Sequence, residues 1–184
     1  KSYYYITTSG DNGKRMSQMT QPLGNSTLNL NTFDDYQYHE SDLINIAHLG
    51  RQWFGESFDI NQEQEFEFNF PNIDLTTPIK IKAVTASAAY TPTSFQVNAN
   101  SQTIGQITFP ALNTNSDTEF YTGNLPNNTS FNSTENVKIK LTYSNNGVPG
   151  SKGFLDYIGL FAKRKLQGYG KQFNFQYNLS NAEI

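Results

Sequence analysis

The run EFEFNF, residues 65–70, sets Phe66, Phe68 and Phe70 on one side of an extended chain and Glu65, Glu67 and Asn69 on the other. Successive side chains of a strand point to opposite faces, so this alternation predicts a half-buried β-strand. Pro71 ends it. The same period returns in IKIKAVTASA, where Ile79, Ile81 and Ala83 oppose Lys80 and Lys82. It returns again in VKIKLTY, where Val137, Ile139, Leu141 and Tyr143 oppose Lys138 and Lys140. SFQVNA and TIGQITF flank the polar turn NANSQ as two shorter strands. GFLDYIGLFA is apolar on both faces, which predicts a central strand covered on both sides. FNFQY, with Phe173, Phe175 and Tyr177, closes the series.

Short alternating strands divided by turn signals predict an all-β fold, a jelly-roll-like β-sandwich. Composition agrees, because only 36% of the residues are hydrophobic while 14% are aromatic, with 11 Tyr and 14 Phe. Rings on a background of Asn, Thr, Ser and Gln favour strands over helices. At 184 residues the chain is long enough to bury one self-sufficient core.

Ahead of the sandwich the pattern is less regular. Tyr3 to Thr8 reads as a strand, SGDNG as a turn and GKRM as the return, an N-terminal hairpin followed by a polar connection to Asn31. FDDYQYHESDLINIAHLG predicts one short helix, capped by Ser41 or Asp42, with Leu43, Ile46 and Ala47 on one face and Gly50 at its stop. The polar stretch from Asn113 to Thr134 reads as a loop with one strand. The expected division is residues 1–55 as hairpin and packing segment, and 56–184 as a galactose-binding-like or jelly-roll sandwich. KSYYYI opens abruptly, as a piece of a longer protein would.

A net charge of −3 supplies no field that would attract nucleic acid, and KRK at 163–165 reads as a solvated strand end. No apolar run approaches the length of a membrane span. The absence of Cys removes disulfides, thiolate nucleophiles and Cys-ligated zinc. His39 and Glu40 followed by His48 do not make the spacing that sets two imidazoles one helical turn apart. No nucleophile elbow of the GxSxG kind accompanies the Ser, His and Asp residues. No metal, cofactor or catalytic residue is expected.

The chain's one Trp lies in HLGRQWFGESF, residues 48–58. Trp53 has two readings, stacking on a sugar ring or packing with Phe54 and Phe58 against the sheet, and the second is preferred for want of further aromatics at a polar spacing. Glu40, Glu56 and Asp156 stand in apolar company, where a raised pKa is possible. Buried carboxylates more often pair with a cation, and Arg51 is the expected partner of Glu40 or Glu56. Glu40, Arg51, Trp53, Glu56 and Asp156 are therefore the candidates for an interdomain or ligand contact.

Four runs, YYYITTSGDNGKRM, YQYHESDLINIAHLGRQWFGESF, GFLDYIGLFAKRKL and QFNFQYNLSNAEI, occur in this order across nearly the whole chain. In combination they resemble the region ahead of the catalytic domain in PorU-like gingipain-family cysteine proteases of the type IX secretion system of Bacteroidetes. The most specific part has Glu40, Asn45, Gly50, Arg51, Trp53, Gly55 and Glu56. FLDYIGL alone is a weak signal, because carbohydrate-binding jelly rolls end in similar strands. The resemblance implies an outer-membrane cell-surface, extracellular protein that removes C-terminal sorting domains from secreted cargo and helps attach the product to surface lipopolysaccharide. The family's catalytic Cys and His belong to the following domain, and neither is carried over to this chain.

The expected function is thus a non-catalytic accessory β-domain, giving interdomain support or recognising cargo. Its expected partner is the gingipain-like catalytic domain of the same polypeptide, with secreted cargo proteins or surface polysaccharide beyond it. A carbohydrate-binding module for surface or extracellular polysaccharide is the alternative, and a self-contained hydrolase the third class.

Overall fold

The computed structural model describes residues 30–48, 50–168, 170 and 175. The N-terminal hairpin and the FNFQY strand, Phe175 excepted, lie outside the described residues. Among the described residues the chain forms strands and no helix. The strands are β1 (Thr32–Glu40), β2 (Ser57–Phe58), β3 (Glu63–Asn69), β4 (Ile79–Ala88), β5 (Thr93–Ala99), β6 (Gln102–Phe109), β7 (Tyr121–Asn124), β8 (Ser130–Phe131), β9 (Asn136–Ser144) and β10 (Lys152–Lys165).

These strands make two antiparallel sheets, the all-β sandwich that the alternation predicts. One sheet runs β1-β10-β4-β7, with β2 joined to β10 and β8 to β4. The other runs β3-β9-β5-β6. The chain passes repeatedly between the sheets, so neighbours in sequence often face each other across the core. Phe66, Phe68, Val137, Ile139 and Leu141 of one sheet meet Ile79 and Ile81 of β4 and Leu155, Ile158 and Leu160 of β10 in that core. β10 lies between β1 and β4, as its two apolar faces require.

Two of the polar side chains that enter the core, Ser87 and Arg164, are held by specific partners. The Ser87 hydroxyl lies 2.7 Å from Thr93 Oγ1 and 2.9 Å from the Tyr143 hydroxyl, a buried network joining β4, β5 and β9. Arg164 corrects the reading of KRK as a solvated end. It stands on the inward row of β10 and is 2% exposed, while Lys165 beside it faces solvent. Its Nη1 donates to Asp35 Oδ2 at 2.8 Å, and its Nε donates to the Pro71 carbonyl at 2.6 Å. The guanidinium also lies over the Phe33 ring, 5.2 Å from its centre.

The helix predicted after Ser41 or Asp42 is absent, and the residues just ahead of it form the strand β1. β1 pairs with β10 over its whole length, from Thr32 opposite Lys165 to Glu40 opposite Tyr157. Residues 32–40, which sequence assigns to the segment ahead of the sandwich, therefore form a full strand of the six-stranded sheet. Beyond the buried Phe33, the inward side chains of β1 are polar and each is engaged. Asp35 meets Arg164, Gln37 Nε2 donates to the Asn69 carbonyl at 2.6 Å, and His39 Nε2 lies 2.8 Å from Glu56 Oε1.

Residues 41–56 then cross back irregularly. Leu43 N and Ile44 N both donate to the Phe54 carbonyl, and Phe54 N donates to Ile44 O at 2.8 Å. This bridge uses the amides that a helix would need, and little more than one helical turn of apolar spacing cannot offset helix nucleation. His48 and Gly50 take left-handed φ values of 51° and 72°, a reversal that a right-handed helix does not accommodate.

Candidate functional site

The outer face of the six-stranded sheet divides into a covered end and an open end. At the covered end Phe154 and Ala86 pair across β10 and β4 and bury against Phe54. Ile44, Ile46 and Phe120 pack around them, so the segment 41–56 serves as a lid over this part of the sheet. Phe54 meets Phe154 at 5.9 Å and stands edge-on to Phe120 at 5.4 Å.

The open end follows from the strand register. Tyr36 lies opposite Phe161, which lies opposite Lys80; Tyr38 lies opposite Gly159, then Lys82; Glu40 lies opposite Tyr157, then Val84, then Asn124. Three of these rings remain in solvent, Tyr38 at 62%, Tyr36 at 45% and Phe161 at 39% exposure. They are stacked on one another, with ring centres 4.4 Å apart for Tyr36 and Phe161 and 5.8 Å for Tyr36 and Tyr38. Gly159 makes this possible. A Cβ there would come within 2.8 Å of the Tyr36 hydroxyl, so the phenol lies across bare backbone. Burial, then Tyr157, Glu40 and Tyr38, raise the Tyr36 phenol above its ordinary value.

Asp156 sits at the register shift between Leu155 and Tyr157, where β10 bulges. Desolvation, then the charges of Glu40 and Asp42, raise its carboxyl above the ordinary value. The structure thus brings two sequence-chosen residues, Glu40 and Asp156, to one end of the aromatic face. The raised value means that the folded chain holds this proton more tightly than the unfolded chain. Stability from this group is present at acid pH and declines as pH rises from the ordinary carboxylate range, near about 4, through the raised value. Asp156→Asn is expected to melt above the parent at neutral pH and level with it at about pH 3. Equal melting temperatures at neutral pH would count against this assignment.

The other candidates are placed differently from expectation. Glu56 is engaged by His39, and Arg51 makes no salt bridge among the described residues. Trp53 is 42% exposed, and its neighbour Phe54 takes the packing role at full burial. Backbone bonds from Gly55 N to Leu155 O and from Leu155 N to Glu56 O, at 2.8 and 2.9 Å, fasten this segment to β10.

Arg51 instead lines a cleft of about 510 Å³ between residues 45–52 and the loop 117–120. Asn45, Gln52, Asp117, Thr118 and Glu119 surround it, with Ala47 and Phe120 as apolar wall. Sequence reasoning missed Asp117, Glu119 and Phe120, which lie some 65 positions beyond Arg51 in a polar stretch without period. It also missed the outer aromatic face, although YQY in an alternating strand is its signal. Among the described residues no group of His, Asp and Glu is arranged to hold a metal ion, and no helix is long and apolar enough to cross a membrane.

Fold and surfaces together define a two-sheet, jelly-roll-like β-domain. No family model matches the chain, and no curated protein does. Among solved structures the chain is similar to dimeric latent PorU from Porphyromonas gingivalis, with a TM-score of 0.66 and 21% identity over 82% of this chain. It spans 14% of that PorU chain, and the likeness is one of fold. Carbohydrate-binding modules are more distant. A CBM36 domain of a xylanase from the hindgut metagenome of Trinervitermes trinervoides gives a TM-score of 0.41 at 9% identity, covering 74% of this chain and all 100% of that one. TmCBM61 in complex with β-1,4-galactotriose gives 0.39 at 14% identity, covering 71% and 86%. Scores at that level carry no functional weight.

Proposed function

We propose that this sandwich is a non-catalytic accessory domain of a secreted, cell-surface cysteine protease of the PorU-like, gingipain-related kind, and that it supports the catalytic domain within the same polypeptide. The observation that carries the reading is the exposed stack of Tyr36, Tyr38 and Phe161. Large apolar groups gathered on one open face are uncommon on a freestanding domain and mark a contact surface. Stacked rings are ordered before contact, so docking a neighbouring domain on them costs little side-chain entropy. Lys80 and Lys82 border the stack on one side and Glu40 and Asp156 on another, which gives a docked domain one preferred orientation.

The four sequence runs and the fold likeness to PorU support the family assignment. Processing of type IX secretion cargo, and cargo recognition by this domain, follow from that assignment as functions of the whole protein. The chain has no Cys, so a thiolate nucleophile must come from elsewhere in the polypeptide.

Hydroxyl-radical footprinting tests the reading. Tyr36, Tyr38 and Phe161 are expected to oxidise readily in the 184-residue chain and to be protected in the polypeptide that also carries the catalytic domain. Equal oxidation in the two would sink it.

A further inference from the structure

We infer that the cleft between residues 45–52 and 117–120 binds a neutral glycan chain. This site is separate from the aromatic face, and the inference does not depend on the proposed docking role. Its volume, about 510 Å³, falls within the range of roughly 300–1,000 Å³ typical of small-ligand sites. Its wall is apolar and its rim polar, the combination that orients a ligand by a few hydrogen bonds over a broad nonpolar contact.

The rim is chemically mixed. Arg51 supplies only donors, Asp117 and Glu119 only acceptors, and Asn45 and Gln52 both. Each sugar hydroxyl both donates and accepts, so a polyol engages all of these groups. An anion does not, because one guanidinium faces two carboxylates. That balance sets aside phosphates, uronic acids and acidic peptides, while the Arg51 guanidinium on the same rim works against a cation, so a neutral ligand is the one we infer.

Phe120 supplies the nonpolar surface. Its contact with Phe54 is edge-on, at 85°, which leaves at least one ring face clear of Phe54 for the C–H face of a pyranose. The sugar-binding alternative therefore moves from Trp53 to the cleft next to it, where Gln52 is part of the lining.

Trp53 is the chain's only Trp and follows Gln52 of the lining, so its fluorescence is a probe placed next to the site. The test is a titration of the 184-residue chain with neutral hexasaccharides of β-1,4-linked glucose, mannose, galactose or xylose, followed by Trp fluorescence and by calorimetry. At least one is expected to saturate with a Kd in roughly the micromolar to millimolar range. Arg51→Ala and Asp117→Ala, both at exposed positions, are each expected to weaken it roughly tenfold while melting with the parent. Three results would overturn the inference: no saturation with any of the four sugars, undiminished binding by both variants, or preference for oligogalacturonate or an acidic peptide.

Discussion

Arg164→Ala is expected to cost the sandwich roughly 3–5 kcal/mol, the range for breaking a buried ion pair by removing one partner. In a domain of this size that lowers Tm by an amount on the order of 10 °C. The cost has several parts. Asp35 loses its 2.8 Å partner, and the Pro71 carbonyl loses the donor that ties the β3–β4 connection to β10. Phe33 loses the guanidinium that covers its ring. Arg164 also occupies the inward row that begins with the apolar side chains of β10, so its aliphatic stem is part of the packing. Arg51→Ala is the control, because Arg51 is exposed and without a salt bridge among the described residues, and a change within about 0.5 kcal/mol is expected. A thermal melt in which Arg164→Ala matches the parent, or in which Arg51→Ala is the more damaging, would show that the anchoring cation has been misplaced.

Phe95→Ala is expected to lose a similar amount, about 3–5 kcal/mol, by a different mechanism. The ring is fully buried and holds the two sheets in register with each other. It meets Phe58 of β2, in the opposite sheet, edge-on at 5.0 Å, and Tyr143 and Phe109 of its own sheet at 4.8 and 6.3 Å. Space on the far side is already used, since a Cβ at Gly153 would come within 2.6 Å of Phe95 Cζ. Truncation therefore leaves a void that two paired sheets cannot close, and the cavity adds to the lost transfer energy. Urea unfolding measures this directly, with Phe95→Leu expected to recover about half of the loss. A loss below roughly 1 kcal/mol for Phe95→Ala would mean that the core rearranges more freely than its packing suggests.

The difference between the legible and the illegible strands lies in which face carries the apolar groups. In β3, β9 and the first half of β4 the inward residues are mostly apolar and the outward ones mostly charged or polar, so the alternation could be read directly. β1 alternates as strictly, but its inward Asp35, Gln37 and His39 are polar and its outward Tyr36 and Tyr38 aromatic. A hydrophobicity pattern assigns the wrong side in such a strand, because the inward groups are satisfied by specific hydrogen bonds whose partners lie far away in sequence. The same distance concealed the true partner of Arg164, and that of Glu56. Residues 41–56 carry no period, so composition could not decide whether Trp53 or Phe54 turns inward. The cleft was out of reach for a similar reason, since Arg51 and Asp117 meet only once the lid has closed over Phe154.

One carbon atom separates a smooth surface from a broken one at position 159. Were that residue to gain even a methyl group, the phenol resting on it would be levered away from the sheet, and the rings on either side would lose their stacking partner. The core of buried side chains between the two sheets beneath would be undisturbed. Natural variants with Ala or Ser at this point are expected to keep the architecture and lose the stacked face, which makes this one residue a marker for telling relatives equipped for the proposed contact from those that are not.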